Sequence, residues 1–226
     1  MVNLTYRTEQ IDAESFPRGR ARIQTEVLGA ISPKPVYSAV KRIFDLLAAV
    51  LALLILLVPM CIIAIVICID SPGSPIFSQT RLGKDQKPFT MYKFRTMYLN
   101  AEENGAVWAS HDDTRSTRVG KCLRKTRLDE LPQLLNIILG EMSFVGPRPE
   151  RPVFYNAFDE YIDGFRQRTL VLPGLTGYAQ INGGYDLLPE EKIKYDLEYI
   201  KNRSVWFDLY CLFKTVAVVL KRQNAM

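Results

Sequence analysis

Two adjacent carboxylates, Asp129 and Glu130, stand in the densest run of charge in the chain, Arg124-Lys125-Thr126-Arg127-Leu128-Asp129-Glu130-Leu131-Pro132. Paired acids among cations form a polar centre able to hold a divalent metal and to present a nucleophile. A plainer reading competes. Leu131, Leu134, Leu135, Ile138 and Leu139 recur at three and four, Gly140 closes an amphipathic helix, and Pro132 fixes its first turn. Asp129 then falls at or near the N-cap with Glu130 in the first turn, where capping and the helix dipole alone favour acids. A helix N-terminus is also an anion site, and Arg124, Arg127, Lys93 and Arg95 are candidates to neutralise phosphates beside it.

Gly146-Pro147-Arg148-Pro149-Glu150 is a second candidate. Its prolines stiffen the backbone on both sides of one arginine, which can grip phosphate bidentately at low entropic cost. A structural turn with a solvated arginine is the alternative. In Pro173-Gly174-Leu175-Thr176-Gly177-Tyr178-Ala179-Gln180-Ile181-Asn182-Gly183-Gly184 the glycines allow close approach, while Thr176, Gln180 and Asn182 can hydrogen-bond a base or sugar. It fits no phosphate-cradle template, so by itself it reads as a loop. His111-Asp112-Asp113 resembles a ligand set, but a polar loop holding the sole histidine reads better as solvated. Neither GxSxG nor HExxH occurs.

The elements that must position these residues begin with an uncharged run of 24 residues, Leu46 to Ile69, divided by Pro59. About 20 apolar residues cross a bilayer core, but the 13 residues before the proline and the 10 after it make only about 20 and 15 Å of helix. Neither half spans alone. A kink is expected at Pro59, and basic residues flank both ends, from Lys41 and Arg42 to Arg81 and Lys84. A hairpin entering and leaving through one leaflet satisfies both signals, where the alternative is a kinked spanning helix. Ile76–Leu82 and Phe89–Thr96 read as two strands around Gly83-Lys84-Asp85, with Lys93 and Arg95 on one face. Helical spacing returns over 153–161 and 190–201, and 205–221 reads as an interfacial or core helix. The stretch before residue 36 ends in Ser32-Pro33-Lys34-Pro35 and reads as an extended linker that could be disordered, pack on the body, or pack on a second copy as in a homodimer.

Composition narrows the partners. The 29 basic and 24 acidic residues give +5, which suits lipid headgroups or nucleotide phosphates. The absence of a basic block and of any nucleic-acid-binding signature argues against DNA or RNA. Cysteines at 61, 68, 122 and 211 form no CxxC pair, as expected of reduced thiols in a protein facing the cytosol. The apolar run lies too deep and is too long for a cleaved signal peptide.

From Lys41 to Lys221 the chain resembles the bacterial sugar transferases, the monotopic polyprenyl-phosphate phosphoglycosyl transferases. The matching segments are Lys41-Arg42-Ile43-Phe44-Asp45 before the proline-broken run, Tyr92-Lys93-Phe94-Arg95-Thr96-Met97, Leu128-Asp129-Glu130-Leu131, Ser143-Phe144-Val145-Gly146-Pro147-Arg148-Pro149 and Pro173-Gly174-Leu175-Thr176-Gly177. Five motifs in the family's order are specific where any one alone is not. The resemblance implies an α+β fold: a mostly helical body with a small β-hairpin, a re-entrant membrane helix broken at Pro59, and interfacial amphipathic helices. It implies an extension over 1–36, a membrane hairpin over 37–72 and a catalytic domain over 73–226, on the cytoplasmic face of a bacterial inner membrane. The implied reaction moves a hexose-1-phosphate from a UDP-sugar to polyprenyl phosphate and releases UMP. Asp129 is then the nucleophile and Glu130 a ligand of Mg2+, with Arg124 and Arg148 on the donor phosphates and Lys93 and Arg95 nearby. Glu150 and Arg151 point, by the same resemblance, to galactose or glucose rather than a diacetamido sugar. One departure stands out: many members continue Asn-Gly-Arg, whereas Asn182-Gly183 is followed here by Gly184. A non-catalytic basic membrane protein that binds anionic lipid or scaffolds glycan assembly is the rival, and hydrolysis of a phosphoanhydride at the same acid pair is a third reading.

Overall fold

The computed structural model describes residues 22–29, 31–101, 113–183 and 187–220. Gly184, His111 and Asp112 therefore lie outside the described residues, as does the extension before Arg22. Helix α1, Pro35–Asp70, opens with proline in its first turn and continues helical through Pro59, so the proline does not split the element in two. Asp45, Ala49, Ala52, Leu53, Leu56, Met60, Ile63, Ala64 and Ile67 repeat at three and four along one side. The part of this stripe before Pro59 packs on Phe89, Met91, Leu134, Ile137 and Met142. The part after it packs on Phe94 and Leu123. Polar ties secure both ends. Arg42 donates to the Ile137 and Ile138 carbonyls at 2.6 and 2.8 Å, and Asp70 accepts from the Val119 N–H at 3.2 Å. The opposite side, with Leu47, Leu51, Leu54, Val58, Ile62 and Ile69, is exposed.

Strands β2 (Ile76–Leu82) and β3 (Pro88–Phe94) form the expected antiparallel hairpin, pairing Phe77 with Lys93 and Leu82 with Pro88. Helix α2 (Arg118–Thr126) starts at Thr117, whose side chain accepts from the Gly120 N–H. Gly120 is required for packing, because a Cβ there would lie 2.0 Å from the Thr96 carbonyl oxygen. A 3₁₀ turn, Leu128–Glu130, leads into α3, Gln133–Leu139. Strand β4 (Ser143–Val145) precedes α4, Pro152–Asp159, and β5 (Ile162–Asp163) precedes a second 3₁₀ stretch, Phe165–Leu170. The glycine-rich segment read as a loop is in fact strand β6 (Gly174–Thr176), parallel to β4, followed by helix α5, Tyr178–Asn182. Helices α6 (Pro189–Asn202) and α7 (Val205–Leu220) complete the chain.

The main core gathers Phe154, Tyr155, Phe158, Ile162, Phe165, Ile193, Leu197 and Ile200, each large enough for burial to contribute about 1.5–3 kcal/mol. Of the alternatives for the segment before α1, its described part packs on the body. Strand β1, Ile23–Gln24, runs parallel to β5, Leu28 and Ile31 pack on the core, and Arg203 donates to the Ser32 carbonyl at 2.9 Å. Helix α7 carries exposed Trp206, Phe213 and Val216 on one side and buries Cys211 on the other. Its Asp208 accepts from Lys41 at 2.9 Å, from Tyr37 at 2.9 Å and from Tyr199 at 2.7 Å, joining α1 to the last two helices.

Candidate active site

Arg127 ends α2 in the left-handed region, with φ of 60°, and turns the chain directly into the Leu128–Glu130 3₁₀ turn. Helix α3 therefore starts only after Pro132, with no side-chain cap. Asp129 is not an N-cap: it is 6 % exposed and its Oδ1 has no hydrogen-bond partner among the described residues. A buried carboxylate oxygen left unpaired costs stability, so its environment favours a role other than structure.

The hairpin delivers the first cation. Buried Asn136 of α3 accepts from the Tyr92 N–H at 3.1 Å and donates to the Thr90 carbonyl at 2.7 Å, fixing β3 against α3. Lys93 then lies 3.1 Å from Glu130 Oε1 and 3.8 Å from Asp129 Oδ2. The second cation is Arg148, whose guanidinium pairs with Glu130. Its loop is pinned at several points. Gly146 N–H donates to the Thr176 carbonyl and Gly174 N–H to the Pro147 carbonyl, both at 2.9 Å, and a Cβ at Gly174 would lie 2.1 Å from the Gly146 nitrogen. Arg168 donates to the Arg148 carbonyl at 2.9 Å and to Asp196 Oδ2 at 2.6 Å, with its guanidinium 4.9 Å from the Phe165 ring centroid. Arg168 and Asp196 are both buried.

These surroundings separate the two acids. Burial pushes Glu130 up, but the charges of Arg148 and Lys93 outweigh it and hold the carboxyl far below its usual range. Burial, with Glu130 beside it, lifts Asp129 above the usual aspartate range despite the charge of Lys93. One acid is fixed as an anion and the other is a more basic, poorly solvated carboxylate.

Both acids open onto a cavity of about 300 Å³, lined by ten lysine and arginine side chains against three carboxylates. Such an excess of cations suits a polyanion carrying more than one phosphate. Of the sequence candidates, Lys93, Arg95, Arg124, Arg148, Asp129, Glu130 and Gln180 line it. Arg124 donates to Ser116 Oγ at 2.9 Å and lies 3.9 Å from Asp113. Gln180 donates to the Leu175 carbonyl at 3.0 Å, and its buried Oε1 has no partner among the described residues. Thr176 and Asn182 do not line it, and Arg95, though at its wall, has its guanidinium engaged elsewhere. Arg95 does not share a task with Lys93: beyond the end of β3, its guanidinium donates at 2.6 Å to the Pro72 and Ser71 carbonyls that terminate α1. Thr176 bonds Thr215 at 2.7 Å, joining β6 to α7, and Asn182 donates to the Tyr178 carbonyl within its own helix. Asp113 is buried rather than solvated. Burial raises its pKa, and the hydrogen bonds and charge of Arg115, with the charge of Arg124, bring it below the usual range. Sequence reasoning missed Arg115, Arg168 and Lys192 as lining residues, since isolated basic residues far apart in the chain carry no local signature.

Among the described residues no group of three or more His, Cys, Asp or Glu could hold a metal ion. That composition still fits magnesium, which keeps its waters and binds through one or two carboxylates plus substrate phosphates. Asp129 Oδ1, buried and unpartnered, is the oxygen available for such a contact.

The chain belongs to the bacterial sugar transferase family, whose profile matches residues 36–222. It is 44% identical over 196 residues to a UDP-N-acetylgalactosamine-undecaprenyl-phosphate N-acetylgalactosaminephosphotransferase of Aeromonas hydrophila, covering 85% of this chain and 46% of that protein. It is 44% identical over 181 residues to a UDP-glucose:undecaprenyl-phosphate glucose-1-phosphate transferase of Escherichia coli, covering 78% of this chain and 39% of that one. A Caulobacter vibrioides protein named for the same glucose reaction is 37% identical over 202 residues, with 87% and 76% covered. The chain spans less than half the length of the first two relatives.

Proposed function

We propose that this protein transfers a hexose-1-phosphate from a UDP-sugar to a membrane polyprenyl phosphate and releases UMP. The observation that carries this reading is Asp129: a buried carboxylate with an unpartnered oxygen, facing a cavity rich in cations. The relatives supply the substrate classes, a UDP-linked hexose or N-acetylhexosamine and undecaprenyl phosphate.

Two anionic substrates repel each other, and splitting the reaction avoids bringing them together. Asp129 attacks the sugar-linked phosphorus, and the bond from that phosphorus to the bridging oxygen breaks, with its electron pair leaving on UMP. An acyl phosphosugar on Asp129 results. An oxygen of polyprenyl phosphate then attacks the same phosphorus, the bond to Asp129 breaks, and the carboxylate returns unchanged. Charge balances in each half with no proton gained or lost. Lys93 and Arg148 hold Glu130 as an anion and stand ready to neutralise charge on the phosphates. Magnesium, held by Glu130 and Asp129 with oxygens of the diphosphate, would supply charge neutralisation at the leaving group.

The membrane arrangement is part of the same reading. Both halves of α1 pack on one body while its outer face is exposed and apolar, which supports a helix that enters and leaves one leaflet with the body on the cytoplasmic side of the inner membrane. The non-catalytic rival leaves the unpartnered Asp129 oxygen without a purpose. Purified protein given each UDP-sugar with undecaprenyl phosphate should release UMP in a magnesium-dependent way. With acceptor withheld, intact-protein mass spectrometry should show one added sugar phosphate, absent in Asp129→Asn. Turnover without that adduct, with intersecting double-reciprocal plots, would replace the two-step route with direct transfer.

A further inference from the structure

One part of the cavity wall differs from the rest. Phe77, Met97, Tyr98 and Leu99 line the same cavity as Asp129, yet three of them are exposed, Leu99 by 72 %. This apolar rim adjoins the end of the membrane helix. A Cβ placed on Gly73, in the turn that follows α1, would lie 3.0 Å from Leu99 Cδ1. The last turn of α1 exposes Ile69 by 80 %, and Ile76 and Phe77 follow at the start of β2. Exposed apolar side chains therefore stand on both sides of the turn after α1, Ile69 before it and Phe77 after it, with Leu99 against the turn itself at Gly73.

The rim is also held in place. Met97 forms a bridge with Ser116, and the Tyr98 N–H donates to the Arg115 carbonyl at 3.1 Å. Ser116 and Asp113 in turn engage Arg124. Apolar rim and cationic interior thus share one backbone frame. A ligand matching both would carry a phosphate on a long hydrocarbon chain.

We propose that Phe77, Tyr98 and Leu99 form the entrance through which the acceptor passes from the bilayer, its isoprenoid tail lying on this rim while its phosphate reaches the cations inside. This rests on the transferase reading above and assigns the acceptor's route within it. A free nucleotide sugar has no hydrocarbon to place there, so the rim separates the two substrates by their chemistry. Placing a Leu or aromatic side chain against hydrocarbon is worth roughly ten-fold or more in affinity.

The test uses the full chain in lipid nanodiscs, comparing the parent with Leu99→Asn and the double variant Leu99→Asn/Tyr98→Ser. Two rates are read: the burst of UMP with UDP-sugar alone, and turnover with undecaprenyl phosphate or with the short-chain citronellyl phosphate. The entrance predicts a KM for undecaprenyl phosphate raised roughly ten-fold by Leu99→Asn and further by the double variant. It predicts a clearly smaller change for the short acceptor, a UMP burst that falls much less than turnover, and recovery in Leu99→Met. Leu99 is exposed, so its substitution leaves the core intact, and an unchanged melting temperature checks this. An unaltered KM for undecaprenyl phosphate, or equal losses in burst and turnover, overturns the entrance alone. Absence of any burst or adduct in the parent overturns the two-step reading beneath it.

Discussion

In its proposed role Asp129 meets two opposing demands, since a carboxylate buried enough to be reactive is also costly to ionise. Its folded-state pKa lies above its unfolded value, so ionisation opposes folding. The sign follows: the cost is absent below the ordinary aspartate pKa of about 3.9 and grows as pH rises past it. Asp129→Asn should therefore melt at higher temperature than the parent at pH 7 in chelator, and the advantage should vanish near pH 3, as scanning calorimetry in detergent can check. Turnover should fall by about three orders of magnitude or more in the same variant, because an amide is a poor nucleophile. A second residue-scale prediction concerns Arg168 and Asp196, whose pairing fixes the carbonyl of Arg148. Asp196→Leu leaves a buried guanidinium without its partner and should cost about 3–5 kcal/mol. Adding Arg168→Met should restore much of the melting temperature but leave kcat depressed, because Arg148 is still not held. Full recovery of kcat in the double variant would reduce the pair to a folding role. Neither residue could be singled out in the sequence, because 28 positions separate them and nothing local marks the pairing.

At the scale of elements, periodicity carried much of the reading. The turn residues Gly83-Lys84-Asp85 that bound Ile76–Leu82 and the three-and-four spacing in α4 and α6 are properties of each segment alone, and those elements lie close to where the pattern puts them. What was hidden depended on distant partners. For the segment before residue 36 the sequence leaves packing on the body as one alternative among three, and its described part pairs with β5 and Gln167, about 140 residues away in the chain. Gly174–Gly183 reads as a loop because glycine signals turns, whereas here its small size admits close contact between β4 and β6 and leaves α5 free to form. The capping assignment of Asp129 failed because Arg127 inserts a 3₁₀ turn before the helix. For α1 the decisive question is where its ends lie. Single cysteines replacing Gln10 and Asn100 in a cysteine-free background should both resist an impermeant thiol reagent in intact cells. Labelling of one alone would make α1 a spanning helix. Pro59→Leu restores a backbone N–H and should shift a fraction of molecules to spanning, with activity falling in proportion.

The whole molecule combines a long helix with an exposed apolar face and a net charge of +5. Both could hold it at an anionic bilayer, but they respond differently to salt. Electrostatic adsorption weakens as the Debye length falls from about 10 Å at 0.1 M to about 3 Å at 1 M. The exposed face of α1, with Leu47, Leu51, Leu54, Val58 and Ile62, does not depend on salt. Membranes washed in 1 M NaCl should retain essentially all of the protein, and only detergent should release it; release by salt would favour the adsorbed, non-catalytic reading. The body-facing stripe of α1, which continues on both sides of Pro59, has one more effect. A spanning helix must match the thickness of its bilayer, and mismatch costs a fraction of a kcal/mol per ångström. A helix that packs on its own body and stays in one leaflet, as proposed above, has no opposite surface to reach. On that proposal activity should be indifferent to acyl-chain length across thin and thick bilayers, yet respond when lysolipid is added to the one leaflet that holds α1.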